Sequence, residues 1–213
     1  MPVEVELKLR ASEDAPLERL AQLDRLGPAS LGPATTADEL DRYLDTADGR
    51  FAAARWACRL RTRADRTIVS LKGPAQPGAG GVLHRRPELE GPAAPDVDPS
   101  RWPPSEARDF VDELRAGQGL VERLALAQRR TERPVLVDGE RLGTLSLDRV
   151  AVLHGGSQVG ALHAVELELA PDAAETRLPE LAAALATVEG LRPDSSTKLE
   201  RALAIVGQAP ARE

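Results

Sequence analysis

The chain has 213 residues, of which 42% are hydrophobic and 29% charged, a composition typical of one soluble globular domain. A single cysteine excludes an intramolecular disulfide framework and a cysteine-rich zinc site, and it favours a reducing compartment. The formal net charge of −6 argues against a general nucleic-acid binder, and the absence of a secretory leader or a long apolar run predicts a cytoplasmic protein without a membrane span.

The first predicted element is a strand. Residues 3–10 alternate strictly between apolar and charged side chains, which is the period of a half-buried strand. Because residues two apart in a strand face the same way, Glu4, Glu6 and Lys8 share one face. A helix is predicted next over residues 12–26, where Ser12 is a suitable N-cap and leucines recur at three-residue intervals.

Shorter strands are predicted in the middle of the chain. They lie at residues 41–45, 58–64, 66–72 and 83–90. Residues 73–81 are rich in Gly and Pro and are predicted to form a loop. A Pro-rich connection over residues 91–104 leads to a helix at residues 105–114.

The last third of the chain predicts long strands and two helices. The strands lie at residues 124–137, 144–153 and 161–169, with hairpin signals at Asp138-Gly139 and Gly155-Gly156. Helices are predicted at residues 174–188 and 196–206, and residues 207–213 are predicted to be a tail or linker. Together these elements predict an α+β, mainly β, fold: a single domain over residues 1–206, built as an antiparallel barrel with helices packed outside.

Strand parity places many of the charged and polar residues of the predicted strands in one set on a common face. The set comprises Glu4, Glu6, Lys8, Arg59, Arg61, Ser70, Lys72, His84, Arg86, Glu88, Glu90, Gln128, Arg130, Ser146, Asp148, Glu166 and Glu168. For any single strand the plainer interpretation is a solvated face, whose exposed ion pairs contribute little. The recurrence of Arg and Glu two residues apart on several strands favours a charged interior instead.

A charged interior of mixed sign has a chemical use. Carboxylates are the ligands that Mg²⁺ and Mn²⁺ prefer, so the acidic members of the set are candidates to hold one or two such ions. Arg and Lys bind phosphoryl oxygens, Arg through a bidentate fork and Lys as a point charge. A polyanion that a metal bridges to carboxylates requires both kinds of side chain.

A motif near the N-terminus, Glu4-Val5-Glu6-Leu7-Lys8, is followed by further motifs along the chain. These are Tyr43-Leu44-Asp45-Thr46, Arg59-Leu60-Arg61, Leu71-Lys72-Gly73, Arg86-Pro87-Glu88, Arg130, Asp148, Glu166-Leu167-Glu168 and Ser196-Thr197-Lys198. In type and order they resemble the CYTH superfamily of triphosphate tunnel enzymes, whose hallmark is Glu-x-Glu-x-Lys. The resemblance covers nearly the whole chain and implies an eight-stranded antiparallel β-barrel that forms a tunnel.

The resemblance also implies roles for individual residues. By position, the substrate contacts would be Lys8, Arg59, Arg61, Lys72, Arg86, Arg130 and Lys198. The ligands of Mg²⁺ or Mn²⁺ would be Glu4, Glu6, Asp148, Glu166 and Glu168. The catalytic residues would be Lys8, Glu4, Glu6 and Glu168.

Some of these assignments have local alternatives. Lys8 either contacts the substrate or positions the attacking water, and Lys198 could instead be a surface lysine at a helix N-terminus. Arg85 and Arg129 stay open as alternatives to the arginine that follows each of them, which strand parity favours. Cys58 has the opposite parity from Arg59 and is predicted to be a small core residue.

The histidines form no recognisable ligand spacing. His84 could line the mouth of the tunnel, but a surface position is the preferred prediction. The low aromatic content, 2%, offers little surface on which a base could stack.

The expected activity is metal-dependent hydrolysis of inorganic triphosphate to pyrophosphate and phosphate. The same resemblance leaves open a class IV-like adenylate cyclase, a thiamine triphosphatase and a non-catalytic module that binds polyphosphate or nucleotides. Five carboxylates favour an enzyme, because a polyanion binder gains nothing from them unless metals neutralise their charge. We expect a triphosphate-containing small molecule, and in the alternative a polyphosphate, as the partner of a monomer or homodimer, with no nucleic acid and no membrane.

Overall fold

The computed structural model describes residues 1–77, 82–171 and 173–208. The strands are β1 (Val3–Ala11), β2 (Arg25–Leu26), β3 (Ala29–Leu31), β4 (Thr35–Thr46), β5 (Ala57–Arg63), β6 (Arg66–Lys72), β7 (Gln76–Pro77), β8 (Leu83–Ala93), β9 (Leu120–Val137), β10 (Glu140–His154), β11 (Ser157–Leu169) and β12 (Leu191–Pro193). The helices are α1 (Ala15–Gln22), α2 (Arg50–Ala53), α3 (Glu106–Arg115), α4 (Leu178–Ala186) and α5 (Lys198–Gln208). Within these ranges no helix is long and apolar enough to cross a membrane.

Eight of the described strands close into an antiparallel barrel, which confirms the predicted fold. Hydrogen-bonded neighbours run in the order β1, β8, β6, β5, β4, β9, β10, β11 and back to β1. The register places Lys8 opposite Glu166 and Glu4 opposite Arg86. Since side chains alternate along each strand, the charged set faces the barrel interior.

Four helices cover the outside of the barrel. Leu17 of α1 and Leu181 of α4 are buried against Leu7 of β1 and Leu147 of β10. On another side, α2 and α3 cover an apolar cluster built largely on β5 and β6. The outward residues are mostly Leu and Val, because burying this apolar area supplies the main favourable term in folding.

Helix α5 covers one end of the barrel interior. Its Ala202 and Ile205 belong to the same apolar cluster as Leu126, Val152 and Leu162, which have the inward parity of their strands. The helix begins with a capping box, in which the Thr197 and Glu200 backbone N–H groups donate to each other's side chains. As a result, the first residue of α5, Lys198, enters the charged interior.

Several predicted boundaries were wrong. The helix predicted at residues 12–26 ends at Gln22, because Arg25–Leu26 pairs with Ala29–Leu31 in a short hairpin. Strand β4 begins at Thr35 rather than residue 41, since it pairs with β9 along its whole length. Similarly, β8 extends to Ala93, well into the predicted Pro-rich connection, through pairing with β6.

Other short elements had no counterpart in the prediction. Strands β7 and β12 and helix α2 are each four residues or shorter, too short for a periodic signal. Helix α5 continues through Gln208, into the segment predicted as a tail. Residues 78–81 of the predicted loop and residues 209–213 of the predicted tail lie outside the described residues.

Candidate functional site

The barrel encloses a large charged cavity. Its volume is about 1270 Å³, above the roughly 300–1,000 Å³ that is usual for small-molecule sites. Among the described residues, ten basic and eight acidic side chains border it. The bordering residues include every predicted substrate contact: Lys8, Arg59, Arg61, Lys72, Arg86, Arg130 and Lys198. They also include three of the predicted metal ligands: Glu4, Glu166 and Glu168.

The first charged cluster is built on β1 with its neighbours β8 and β6. Glu4 accepts hydrogen bonds from Lys72 Nζ at 2.6 Å and from Arg86 Nε at 2.7 Å. Arg86 Nη2 also donates to Glu6 at 3.0 Å, and Lys8 Nζ lies 3.1 Å from the same Glu6 oxygen. Burial alone would raise the pKa of Glu4, but the charges of Lys72 and Arg86 outweigh it and lower this pKa to about 2.

The second cluster joins β9, β10 and β11 to α5. Arg130 grips Asp148 with two parallel hydrogen bonds of 2.8 Å each, and Lys198 Nζ donates to Asp148 at 2.6 Å and to Glu166 at 2.8 Å. Asp148 has no exposed surface and so stands behind these cations rather than on the cavity wall. Burial acts to raise the pKa of Asp148, but Arg130 and Lys198 hold it below its usual range. A surface position for Lys198 is therefore wrong.

The third cluster joins Arg59, Arg61 and Gln128, which belong to the predicted set, to two carboxylates that the sequence analysis missed. Asp41 on β4 accepts two hydrogen bonds from Arg61, at 2.7 and 2.8 Å, and one from Arg59 at 3.2 Å. Glu39, two residues earlier on the same face, lies 3.2 Å from Arg61 Nε, and Gln128 donates to both carboxylates. The signal was present, since Glu39, Asp41 and Tyr43 alternate with other residues in the same way as the motifs on the other strands.

Glu168 differs from the carboxylates above. Its side chain makes no hydrogen bond or ion pair with any of the described residues, although it borders the cavity. The residue is exposed to solvent, so water can reach its carboxylate. Burial, followed by the charge of Glu4, raises the pKa of Glu168 to about 7. Negative charge is therefore poorly compensated at this part of the wall.

This unbalanced charge bears on the expected metal. In the described ranges no group of three or more His, Cys, Asp and Glu side chains forms a ready-made metal centre, since Glu4 and Glu6 are engaged by Lys and Arg. The donor set nevertheless suits Mg²⁺ or Mn²⁺, because Glu4, Glu6 and Glu168 offer carboxylate oxygens on paired strands. A divalent cation beside them would offset the repulsion that raises the pKa of Glu168.

The adjacent arginines divide between the two faces of the wall. Arg86 and Arg130 border the cavity. Arg85 is paired with Glu175 on the outside, and the Arg129 side chain is 63% exposed and lies 3.6 Å from Asp38. Strand parity alone therefore predicts which arginine of each adjacent pair faces the cavity.

The predictions for Cys58, for His84 and for aromatic residues have different outcomes. Cys58 is buried in the core as predicted, and burial raises its pKa to about 12. The surface position preferred for His84 is wrong: the residue is 2% exposed, borders the cavity and contacts the Asp194 carbonyl through Nε2 at 2.9 Å. The cavity also has aromatic lining that the low aromatic content did not predict, from Tyr43 and Trp56.

Solved structures with the same fold include proteins described as cyclases and as triphosphatases. HpAC1 from Hippeastrum, a candidate adenylyl cyclase described as having a dominant triphosphatase activity, has a TM-score of 0.65 at 22% identity over 94% of this chain and 95% of its own. A candidate adenylate cyclase from Bacillus halodurans has a TM-score of 0.58 at 19% identity over 94% and 98%. The Mimivirus capping enzyme triphosphatase has a TM-score of 0.51 at 10% identity over 87% and 90%.

Sequence comparison identifies the family more directly. No curated protein sequence matches the chain. The family model described as the CYTH domain matches residues 2–203, nearly the whole chain. The closed antiparallel barrel and the inward Glu-x-Glu-x-Lys motif agree with that match. The chain belongs to the CYTH family.

Proposed function

We propose that this chain hydrolyses inorganic triphosphate to pyrophosphate and phosphate inside the barrel, with Mg²⁺ or Mn²⁺ as cofactor. The observation that carries the proposal is that all seven basic residues expected to contact the substrate border one cavity, which they share with carboxylates. Among the proteins of the same fold, HpAC1 and the Mimivirus protein are both described as triphosphatases.

The basic side chains would bind and orient the substrate. Each guanidinium has five N–H donors, so an arginine held by a carboxylate keeps donors for phosphoryl oxygens. Arg59, Arg61 and Arg130 lie on β5 and β9. Lys8 lies across the barrel on β1, and Lys72 and Arg86 lie on β6 and β8, between β5 and β1. A triphosphate between these strands would meet cations on both sides, which offsets charge on the leaving pyrophosphate.

The carboxylates Glu4, Glu6 and Glu168 would hold a divalent cation, with Glu166 as a further ligand. Asp148, predicted as a ligand, is fully buried behind Arg130 and Lys198 and would instead hold these two cations in place. When bound, the ion polarises a phosphoryl oxygen and lowers the pKa of water. The oxygen of a water molecule would form a bond to the terminal phosphorus as the bond from that phosphorus to the bridging oxygen breaks. Pyrophosphate would leave, and the proton of the attacking water would pass to cavity water. Lys8, 3.1 Å from Glu6, is placed to contact either the phosphoryl group or the attacking water.

The first test is phosphate release from inorganic triphosphate, ATP and thiamine triphosphate, each with Mg²⁺, with Mn²⁺ and with EDTA. Metal-dependent release from inorganic triphosphate alone is the expected result. Release from none of the three, with triphosphate still bound, would overturn the proposal in favour of a polyphosphate-binding module. Conversion of ATP to cyclic AMP and pyrophosphate would favour the cyclase.

Variants test the individual roles. Glu6→Gln is expected to abolish metal-dependent turnover and leave the fold intact. Arg61→Ala and Arg130→Ala are expected to lower kcat/KM, and Arg129→Ala is the matched control because it removes the adjacent arginine on the outer face. Equal loss in Arg129→Ala and Arg130→Ala would contradict the cavity as the site of phosphate binding.

An organic triphosphate is a second candidate substrate, favoured by the aromatic lining. The Trp56 ring packs edge-on against Phe110, with ring centroids 4.8 Å apart. It also lies close to Gly73, where an added Cβ would be 3.0 Å from the indole. A ring fixed at the border of the cavity could stack on a base or a thiamine group. Trp56→Ala should then raise KM for the organic triphosphate and leave KM for inorganic triphosphate unchanged; equal KM changes for both would remove this candidate.

A further inference from the structure

Asp41 lies at the centre of the third cluster but does not reach the cavity surface. Its residue exposure is 0%, so it cannot touch a bound molecule. It sits on β4 directly opposite Arg61 of β5, and both of its oxygens are occupied. The Arg61 fork takes both oxygens, at 2.7 and 2.8 Å, and Arg59 Nη1 and Gln128 Nε2 share Oδ2 at 3.2 and 3.0 Å.

This geometry restricts the orientation of two guanidinium groups. A bidentate pair fixes the plane of Arg61, and Arg59 is held between Asp41 and the Ser70 hydroxyl, to which Nη2 donates at 3.3 Å. Both arginines still border the cavity. Arg61 and Arg59 have long side chains with many rotamers, so a fixed carboxylate behind them reduces the entropy that would be lost when phosphate binds.

The charge state of Asp41 also fits a carboxylate that holds Arg59 and Arg61 in place. Burial would raise the pKa of Asp41, but the Arg59 charge and the Arg61 hydrogen bonds hold it well below its usual range. The carboxylate therefore stays ionised at every pH at which the protein would be assayed. Its Gln128 contact also connects this pair to Glu39, which lies between Arg61 and Arg63.

We infer that Asp41 is a positioning residue, which orients Arg59 and Arg61 to receive the phosphoryl groups of the substrate. The inference rests on the proposed function for the identity of the bound polyanion. It assigns to Asp41 a role different from that of the predicted metal ligands, since Asp41 acts through the arginines and contacts neither metal nor substrate.

The direction in which one substitution changes triphosphate affinity distinguishes a positioning role from a purely electrostatic one. Asp41→Asn removes one negative charge from behind the cavity wall with almost no change in shape. If Asp41 only balances charge, the variant should bind inorganic triphosphate more tightly, because the cavity becomes more positive. If Asp41 orients the arginines, binding should weaken about tenfold or more, a loss comparable to one charge-assisted hydrogen bond.

The experiment is calorimetric titration of the full chain with inorganic triphosphate in EDTA, where metal-dependent turnover is absent. A double-mutant cycle compares wild type, Asp41→Asn, Arg61→Ala and the double variant. If Asp41 positions Arg61, Asp41→Asn should weaken triphosphate binding far less in the Arg61→Ala background than in the wild-type background. Asp45→Asn is the matched control on the same strand. Asp45 does not border the cavity, and its carboxylate accepts the backbone N–H groups of Phe51 and Ala52, so the variant should lose stability only, with triphosphate affinity unchanged.

Each outcome decides the inference. Equal or tighter binding by Asp41→Asn, or an additive cycle, overturns it while leaving the proposed function intact. Wild-type binding without hydrolysis in Mg²⁺ or Mn²⁺ overturns the proposed function and leaves the Asp41 test valid. No wild-type binding in EDTA overturns the inference, whereas the proposed function is decided by phosphate release in Mg²⁺ or Mn²⁺. If Asp41→Asn does not fold, Asp41→Glu replaces it. The charge is kept and the carboxylate shifts by one methylene. Positioning then predicts weaker binding of triphosphate, whereas charge balance predicts unchanged affinity.

Discussion

Glu168→Gln tests whether the charged cavity lowers the stability of the barrel. In the folded chain, burial and the charge of Glu4 raise the pKa of Glu168 from 4.5 to about 7, and no described residue forms an ion pair with it. Glutamine has nearly the same shape but no charge. We expect the variant to be inactive and yet more stable than wild type at alkaline pH.

The magnitude follows from the two pKa values. The interval from 4.5 to about 7 corresponds to roughly 3 kcal/mol, at about 1.4 kcal/mol per pH unit. Because cavity water screens this carboxylate, we reduce the expected effect to about 1–2 kcal/mol. Below pH 4.5 Glu168 is protonated in both the folded and the unfolded chain, so the substitution does not change the free energy of unfolding. As pH rises from 4.5 through about 7, the free energy of unfolding of the wild type falls because the folded chain must ionise Glu168, and that of the variant does not.

The assay is urea unfolding of both proteins in EDTA at pH 4 and pH 8, followed by circular dichroism. The free energy of unfolding of Glu168→Gln should exceed that of wild type by about 1–2 kcal/mol at pH 8 and match it at pH 4. Glu180→Gln, on the exposed face of α4, is the control and should stay within about 0.5 kcal/mol of wild type at both pH values. An equal gain at both pH values, or none at pH 8, would refute the reasoning.

Three further predictions concern parts of the chain that the structure buries. Asp148→Asn removes a carboxylate that two buried cations share, so it should lower the free energy of unfolding by about 3–5 kcal/mol, measured by scanning calorimetry; a change below about 1 kcal/mol would contradict the buried pairing. Cys58 should resist thiol reagents at pH 8 until the chain unfolds, because burial raises its pKa to about 12; rapid labelling of the folded chain would contradict this. Gly160→Ala places a Cβ 2.6 Å from Ile205 Cγ2 and should speed hydrogen exchange in α5 selectively; unchanged exchange would show that the helix does not need this clearance.

Most of the site residues that were predicted correctly were identified from strand parity. The order of charged and apolar residues placed Arg86 and Arg130 on the inner face without any knowledge of the barrel, and the structure puts both beside the cavity. Parity works because the two-residue period is local and does not depend on which strands pair. It missed Glu39 because the strand that carries it was predicted to begin at residue 41, and it left out Asp41 although that residue lay within the predicted strand.

Composition was a poorer guide to the cavity. Aromatic residues make up 2% of the chain, yet Trp56 and Tyr43 both border the cavity, because the start of β5 and the middle of β4 lie side by side at its edge. His84 was misplaced for a related reason. Its partner is the carbonyl of Asp194, 110 residues away in the sequence, and no local pattern predicts such a contact.

The sequence by itself determined the eight strands of the barrel, though not all their boundaries, together with their inward and outward faces and the family. These depend on short periods and on motifs within single strands. Only the tertiary structure decided which cation is paired with which carboxylate. Asp148 meets Lys198, 50 residues later, because α5 covers the end of the barrel, and Glu4 meets Lys72 and Arg86 because β1, β6 and β8 converge. Such pairings depend on strand order, tilt and closure, which are properties of the whole barrel and not of any segment.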